Sequence, residues 1–401
     1  MNRKMTRVMH VITTLGPAGA ETMLWRLVSG MDSSQFKNEV VSLTDILELA
    51  GKMEGIGVPV RSLGMKQTVP NPLLVVRLAR WIRESKPDVI QTWMYHANLL
   101  GALAARLAGD VPVVWGIHHN VLDPRFDKRR TMLVNHASAF LSRRFPERIV
   151  FCSEASLRLH RELGYTREKL EVIPNGFDLE QLKPQPAARA RLREELDIPV
   201  EAPVIGMAAR FHPHKDHRNF IRAAEKLHEQ KPDVHFVLCG LNVTWENSQL
   251  VGWIEAAGLR ARCHLLGLRQ DVPRLFAMMD VATTASRSEA FPVAIGEAMA
   301  CGIPCVVTDV GDSARIVGRT GIVVAPENPA ALAEGWRRLI EAGPEVRRRL
   351  GRDARQRVEE EFALPVVVER YQAIYASLPA KRRRRFGPSP ALRSVRGSSP
   401  S

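Results

Sequence analysis

The 401 residues, 45% hydrophobic, 25% charged and 6% aromatic, with 27 Gly and 26 Pro, are too many for one ordinary core and suit two domains of ~100 to 200 residues; a disordered chain, a collagen-like fibre and a lone small binding module are excluded. Five cysteines, at 152, 239, 263, 301 and 305, are odd in number and form no CxxC pair, so neither a disulfide framework nor a zinc site is expected and a reducing cytoplasm fits. The net charge of +14 suggests nucleic acid, but 7 of it stands in residues 381–401, as Lys381, Arg382, Arg383, Arg384, Arg385, Arg393 and Arg396 with no acidic residue, which leaves the body only mildly basic.

At the start of the chain, Arg3, Lys4 and Arg7 precede an apolar stretch that ends near Ala18-Gly19-Ala20, superficially an export signal. His10, Thr13 and Thr14 inside 8–15 suit a buried strand better. No run of 18 apolar residues follows, so the chain reads as soluble or at most peripheral.

From there short β-branched runs alternate with longer amphipathic stretches, the pattern of parallel sheets covered by helices. Strands are expected at 8–15, 39–43, 59–63, 88–92, 112–117, 148–152 and 171–173. Helices are expected at 21–31, 72–85, 96–108, 128–144 and 154–163, with Ser153 as an N-cap. Lys183-Pro184-Gln185-Pro186 breaks the rhythm, and after a charged helix at 187–196 the alternation restarts. The second set has strands at 204–208, 235–239, 263–266, 281–285, 305–308 and 322–324, and helices at 217–229, 246–257, 272–279, 292–300, 329–342 and 344–361. A last helix at 365–377 precedes the basic tail, which reads as disordered. The expected architecture is α/β: two Rossmann-like domains, 1–183 and 184–362, facing each other across a cleft, with segment 363–379 packing back on the first and 380–401 as a tail. In such sheets ligands bind beyond the carboxyl ends of the strands.

Three constellations fall at those ends. Gly16-Pro17-Ala18-Gly19-Ala20-Glu21 follows the first strand and opens the first helix, where glycines admit close backbone approach and free N–H groups favour an anion. Its spacing is not a GxGxxG fingerprint, and a plain tight turn is an equal reading. Arg210 and Lys215, just past the first strand of the second half, offer two cations of the kind a departing diphosphate needs. Glu289 and Glu297, eight positions apart in Ser288-Glu289-Ala290-Phe291-Pro292-Val293-Ala294-Ile295-Gly296-Glu297, put one carboxylate on a loop and one in the following helix, each able to accept two hydroxyl hydrogens of a sugar or ribose.

Residues 286–308, with Glu, seven residues, Glu and then Ala-Met-Ala-Cys-Gly-Ile-Pro-Cys-Val-Val-Thr, resemble the donor site of the retaining glycosyltransferases of family 4. The resemblance extends through Gly16 to Glu21, 149–153, Val172-Ile173-Pro174-Asn175-Gly176-Phe177-Asp178, Arg210, Lys215 and 266–276, and omits only the tail. It implies the GT-B fold, a nucleotide-diphosphate sugar as donor, a glycan or lipid-linked acceptor, a role in surface or exopolysaccharide synthesis, and no essential metal or other cofactor. By the same resemblance Arg210 and Lys215 would hold the diphosphate, with the backbone of Gly16 and Gly19 closing on it. Glu297 would bind the ribose. Glu289 and the backbone of Ala290, Phe291 and Pro292 would face the donor sugar, while Leu268, Arg269 and Val272 would flank the base. His118 or its neighbour His119 matches a histidine near the reacting centre, and His118 is taken here. The chain departs from the family at Ala209, where glycine is frequent, and at Gly311-Asp312-Ser313-Ala314-Arg315, where a second glycine and a glutamate are frequent; Asp312-Ser313 still resembles a helix start.

No carboxylate is placed as a nucleophile, so same-face attack by the acceptor hydroxyl is expected, with the leaving phosphate taking its proton. An epimerase on the same frame would need an acid and a base flanking a sugar carbon, which the two glutamates fit less well. A basic adaptor acting through 381–396 is the other alternative. Only Phe386 is aromatic in the tail, which argues against nucleic acid; an anionic membrane surface on the cytoplasmic side is the expected partner if the tail has one.

Overall fold

The computed structural model describes residues 5–16, 18–66, 72–119 and 129–378. Pro17, residues 67–71 and 120–128, and the basic tail lie outside the described residues.

Two wholly parallel sheets form. The first holds β1 (Thr6–Ile12), β2 (Phe36–Ser42), β3 (Val60–Ser62), β4 (Val89–Trp93), β5 (Val113–Ile117), β6 (Arg148–Phe151) and β7 (Leu170–Val172), in the order β3-β2-β1-β4-β5-β6-β7. The second holds β8 (Val204–Ala208), β9 (His235–Cys239), β10 (Cys263–Leu265), β11 (Val281–Thr284), β12 (Cys305–Thr308) and β13 (Ile322–Val324), in the order β10-β9-β8-β11-β12-β13. Central strands such as Val113-Val114-Trp115-Gly116-Ile117 are buried at every position. Their unbroken apolar runs follow from helices covering both faces.

The first sheet is covered on one face by α1 (Gly19–Gly30) and α2 (Ala50–Glu54), and on the other by α3 (Leu73–Ser85), α4 (Tyr95–Ala108) and α5 (Arg129–Leu141), with α6 (Glu154–Glu162) leading into β7. In the second lobe α7 (Pro186–Glu195), α10 (Val272–Ala277), α11 (Val293–Ala300), α12 (Ser313–Val317) and α14 (Gly343–Glu361) share one core, and α8 (His217–His228), α9 (Ser248–Ala256) and α13 (Pro329–Glu341) the other. The final helix, α15 (Leu364–Ser377), returns to the first lobe and buries Leu364, Val367, Tyr371 and Ile374 beside α1. The chain thus crosses between lobes twice at one place. There Phe177 donates its N–H to the Phe362 carbonyl at 2.9 Å, and Leu364 donates to Phe177 at 2.9 Å.

Some expected bounds move. β1 stops at Ile12, not at 15, because Thr13 and Leu15 bond to the 44–46 loop instead of a ladder (Thr44 N–H to the Thr13 carbonyl, 3.2 Å; Leu15 N–H to the Ile46 carbonyl, 2.9 Å). α5 ends at Leu141 instead of 144, where the Ser142 hydroxyl donates to the Ala139 carbonyl at 2.7 Å. α11 begins at Val293, with Pro292 just before it. The short helix α2 was not expected as an element, while α12 begins at the helix start read at Asp312-Ser313. Ser153 does cap α6, accepting from the Ser156 N–H at 3.1 Å. All five cysteines are buried and unpaired. Among the described residues no helix is long and apolar enough to cross a membrane.

Candidate active site

The carboxyl ends of both sheets look into one cleft. On the first-lobe side the turn after β1 leads through Gly16 to Gly19, the first residue of α1. A side chain at Gly19 would stand 3.9 Å from Val293, the first residue of α11 in the other lobe. Two helix N-termini therefore approach each other, and their unpaired N–H groups and positive dipole ends suit a diphosphate. Glu21, in the first turn of α1, accepts from the Thr14 hydroxyl at 2.7 Å. Burial pushes its carboxyl above the usual range, while the Thr14 bond and the positive charge of Arg210 pull it back. Arg210 belongs to the second lobe, so its charge is felt across the cleft.

Lys215 ends a single 3-10 turn, Pro213–Lys215, and the next residue, Asp216, sits in the left-handed region (φ 46°) while its carboxylate caps α8 at the Asn219 N–H, 3.2 Å. Arg287 holds that corner, its guanidinium on Asp216 at 2.6 Å and its N–H on the His214 carbonyl at 2.8 Å. A short, strained and doubly tied corner fixes where Lys215 points. Its ammonium meets Glu289 Oε1 at 2.5 Å, and the Ser286 hydroxyl donates to the same oxygen at 2.7 Å. The sequence placed Lys215 and Glu289 in one site; the structure makes them direct partners. The Glu289 loop is itself clamped by Gly311 (φ 58°), where a Cβ would come within 2.1 Å of the Glu289 carbonyl oxygen, so no other residue fits without moving that loop.

Glu297 lies inside α11 and meets Arg26 of α1, in the opposite lobe, at 2.5 Å; both side chains are mostly buried. Arg26 also donates to the Gly176 carbonyl at 3.2 Å and lies 5.5 Å over the Phe177 ring. Phe177 reaches the helix because residue 296 is glycine: a Cβ there would overlap the ring at 2.0 Å. The residue expected to bind ribose is therefore already gripped by a cation from the other lobe, at the crossing point of the chain. Sequence reasoning missed Arg26. The signal available was one arginine on the edge of the buried α1 stripe of Met23, Leu24, Leu27 and Val28.

Phe291 is buried, stacked 6.1 Å from Phe177 and edge-on to Phe362 at 5.8 Å, so its ring is core and only its backbone is left for a ligand. Arg269 is forked onto Asp271, at 2.7 and 2.6 Å, and Val272 starts α10 beside it, while Leu268 is exposed. Burial pushes the Cys239 thiol at the end of β9 up to about 12; Arg269 opposes this, and Asp271 and Glu297 add to it. Those three charges accordingly all act on the end of β9.

His118 follows β5 and stacks on Trp93 at 5.1 Å. Both of its ring nitrogens are buried without a hydrogen-bond partner, and burial lowers its pKa to about 4, so the ring is neutral near pH 7. His119 turns away instead, 6.1 Å and edge-on to Tyr95. Before α4, Met94 adopts φ 73°, ψ 159°, a region seldom used outside glycine, so this end of the first sheet also stores backbone strain.

Asp312 does not behave as its position beside a helix start suggests. Its carboxylate makes no cap on α12. It crosses the cleft and accepts from the Glu154 and Ala155 N–H groups at the start of α6, both at 2.9 Å, and Arg315 flanks it at 3.3 Å. A second tie between lobes thus stands where the chain departs from the family pattern.

Comparison with known proteins gives concordant likenesses. Residues 17–181 match the model of Glycosyltransferase Family 4 and residues 188–357 that of Glycosyl transferases group 1. EpsF of Bacillus subtilis, named as a glycosyltransferase, is 30% identical over 384 residues, 89% of this chain and 96% of EpsF. The N,N'-diacetylbacillosaminyl-diphospho-undecaprenol alpha-1,3-N-acetylgalactosaminyltransferase of Campylobacter jejuni is 25% identical over 375 residues, 90% of this chain and 97% of that enzyme. HepE of Anabaena, solved with UDP and glucose, superposes with a TM-score of 0.82 at 24% identity, covering 93% of this chain and 100% of HepE.

Proposed function

The chain belongs to the family 4-type glycosyltransferases of the GT-B fold, and from that membership we propose that it moves a sugar from UDP to a hydroxyl of a lipid-diphosphate-linked glycan, with retention, in surface polysaccharide synthesis at the cytoplasmic face of the membrane. UDP is chosen because the HepE structure holds it, and the acceptor class because the Campylobacter relative is named for a diphospho-undecaprenol acceptor. The observation that carries the reading is the Lys215–Glu289 pair on the second-lobe side of the cleft, with Arg210 of the same lobe close enough for its charge to act on Glu21 of α1.

In this reading the diphosphate lies between the two helix N-termini, and Arg210 and Lys215 stabilise the charge that grows as the bond from the anomeric carbon to the phosphate oxygen breaks. No metal is called for. Glu289 orients the sugar hydroxyls and Glu297 those of the ribose. The acceptor oxygen forms its bond to the anomeric carbon on the face the diphosphate leaves, and its proton passes to the departing phosphate oxygen. His118, neutral and with both buried ring nitrogens lacking a protein partner, gives a hydrogen bond to the donor sugar beside that centre once the site closes on it. Closure of the lobes keeps water from taking the acceptor's place.

Incubation of the purified chain with a panel of UDP-sugars and a short polyprenyl-diphosphate glycan, with the product anomer read by NMR, tests the reading. Transfer with retained configuration is expected. An inverted product removes the same-face mechanism, and absence of a thermal shift with every UDP-sugar removes the donor.

A further inference from the structure

Helices α3, α4 and α5 cover one face of the seven-stranded sheet, with α4 packed against both neighbours. Six of the thirteen large apolar side chains exposed among the described residues stand on these three helices: Leu73 and Val76, Leu103 and Leu107, Leu133 and Phe140. The three most exposed of all are here, Phe140 at 77%, Leu133 at 71% and Leu73 at 69%.

α5 shows that this is not scatter. Two of its three buried positions among the described residues are polar, Asn135 and Ser138 beside Ala139, and Ser142 just past its end is buried as well; Asn135 accepts from the Tyr165 hydroxyl, at 2.5 Å, and Ser138 donates to the Val134 carbonyl at 2.7 Å. Its exposed stripe is Leu133, His136 and Phe140, at spacings of three and four. A surface helix ordinarily has the reverse arrangement. Exposed Arg77, Arg80, Arg83, Arg106, Arg143 and Arg144 stand among the apolar groups, and the acidic Glu84 and Asp110 are paired with Arg80 and Arg106, so the face is net positive.

Aliphatic and phenyl groups ringed by guanidinium groups match an anionic phospholipid surface, which takes the first into its acyl boundary and the second onto its head-group phosphates. Position agrees. In a β-α-β unit the helix begins at the strand's carboxyl end, so Leu73 and Leu133, near the starts of α3 and α5, lie at the rim of the cleft. We propose that the α3–α4–α5 face docks the enzyme onto an anionic phospholipid bilayer with the cleft mouth at the membrane surface, where a lipid-anchored acceptor enters. This deepens the acceptor part of the reading above and rests on it for its purpose, while the docking itself is independent of catalysis.

The test is flotation of the full chain with vesicles of phosphatidylglycerol and phosphatidylcholine, and with phosphatidylcholine alone, for the wild type, the double variant Leu133→Glu/Phe140→Glu, and a chain lacking 380–401. The thermal shift with UDP reports that each variant remains folded with its nucleotide site intact. Flotation of the wild type only with the anionic vesicles, at least tenfold less for the double variant with an unchanged UDP shift, and substantial retention by the tail-deleted chain are expected. Equal flotation of wild type and double variant overturns the proposal, as does binding lost wholly with the tail. A wild type that ignores vesicles but forms dimers abolished by the double variant also overturns it, and assigns the face to a second copy of the chain. Vesicle binding without any UDP-sugar shift would instead refute the transferase reading and leave the docking standing.

Discussion

The two walls of the cleft are built on the same plan and present different chemistry. The second-lobe wall carries fixed ionic side chains: Lys215 on Glu289, Arg269 on Asp271, and Glu297 inside a helix. At the corresponding ends of the first sheet stand a glycine turn, helix N–H groups and the neutral ring of His118, while the ionisable groups of α1 are already engaged, Glu21 by the Thr14 hydroxyl and Arg26 by Glu297. A departing diphosphate needs charge that is already in place, whereas a sugar exchanging one hydroxyl partner for another needs close approach and hydrogen bonds without a strong field. On the proposed reading, leaving-group chemistry falls to the second lobe and positioning to the first.

Removing Lys215 breaks the comparison most sharply. Lys215→Ala should lower kcat/KM by ~10² to 10³, the range seen when one preorganised stabiliser of a developing anion is lost. The Tm should barely change, because Lys215 is partly exposed and the corner around it is held by Arg287 and Asp216. A kcat/KM within twofold of wild type would move the leaving-group role elsewhere.

Glu297→Gln should come next, with UDP affinity weakened about tenfold, since a hydrogen bond to a charged group is worth roughly 1.5–3 kcal/mol. Arg26 sharpens the point. If it only aims Glu297, Arg26→Gln should weaken UDP by less, and the double variant should be no worse than Glu297→Gln alone, a coupling read by a double-mutant cycle in calorimetry. Full additivity would mean that Arg26 meets the nucleotide on its own account.

On the first-lobe wall, His118→Phe keeps the stack on Trp93 and deletes both ring nitrogens. About a tenfold loss in kcat is expected, one hydrogen bond's worth. Because His118 has its pKa near 4, the activity of the wild type should show no protonation limb near pH 6.5 from this ring. The same burial has a stability consequence. His10, His118 and His160 in the first lobe, and His217 and His235 in the second, all have folded pKa values lowered to about 4 from 6.5. Between those values the unfolded chain binds more protons than the folded one, so their contribution is complete above pH 6.5 and is lost as pH falls toward 4, by ~1.4 kcal/mol per pH unit for each such histidine. The Tm should fall steeply from pH 6.5 to 5. A flat profile would show that these rings are more solvated than the structure has them.

Which of these features the sequence discloses follows from how local their causes are. Val204–Ala208, His235–Cys239 and Ile322–Val324 are apolar runs with clear flanking breaks, and the strands form there. Arg210, Lys215 and Glu289 stand at strand ends or helix starts, and the fixed spacing from Glu289 to Glu297 inside α11 exposes the two carboxylates. Arg26 and Glu297 are 271 positions apart, and nothing in the spacing of either predicts the other. α5 was expected only as a helix at 128–144, and which of its faces meets the sheet is not legible in its spacing; only the fold shows that Leu133 and Phe140 are outside. Lys215–Glu289 was half legible: both residues were expected at the donor, but a direct pair needs the two loops to be brought together.

Asp312 is the finest test of the contrast, because it lets the charged wall act on the other lobe through backbone alone. Its two oxygens accept from two N–H groups at the start of α6, and an anion at a helix N-terminus is favoured by the dipole as well. Asp312→Asn keeps one acceptor and turns an amide N–H toward a backbone donor, so one bond is lost and a repulsion added, but only in the geometry where the lobes meet. The cost should fall on that geometry, about 1 kcal/mol, and appear as a donor KM raised about fivefold with kcat little altered and a larger radius of gyration in solution scattering. If KM and the radius both stay at wild-type values, the carboxylate is a passive contact, and the lobes are held instead by the Arg26–Glu297 pair and the crossing at Phe177 and Leu364.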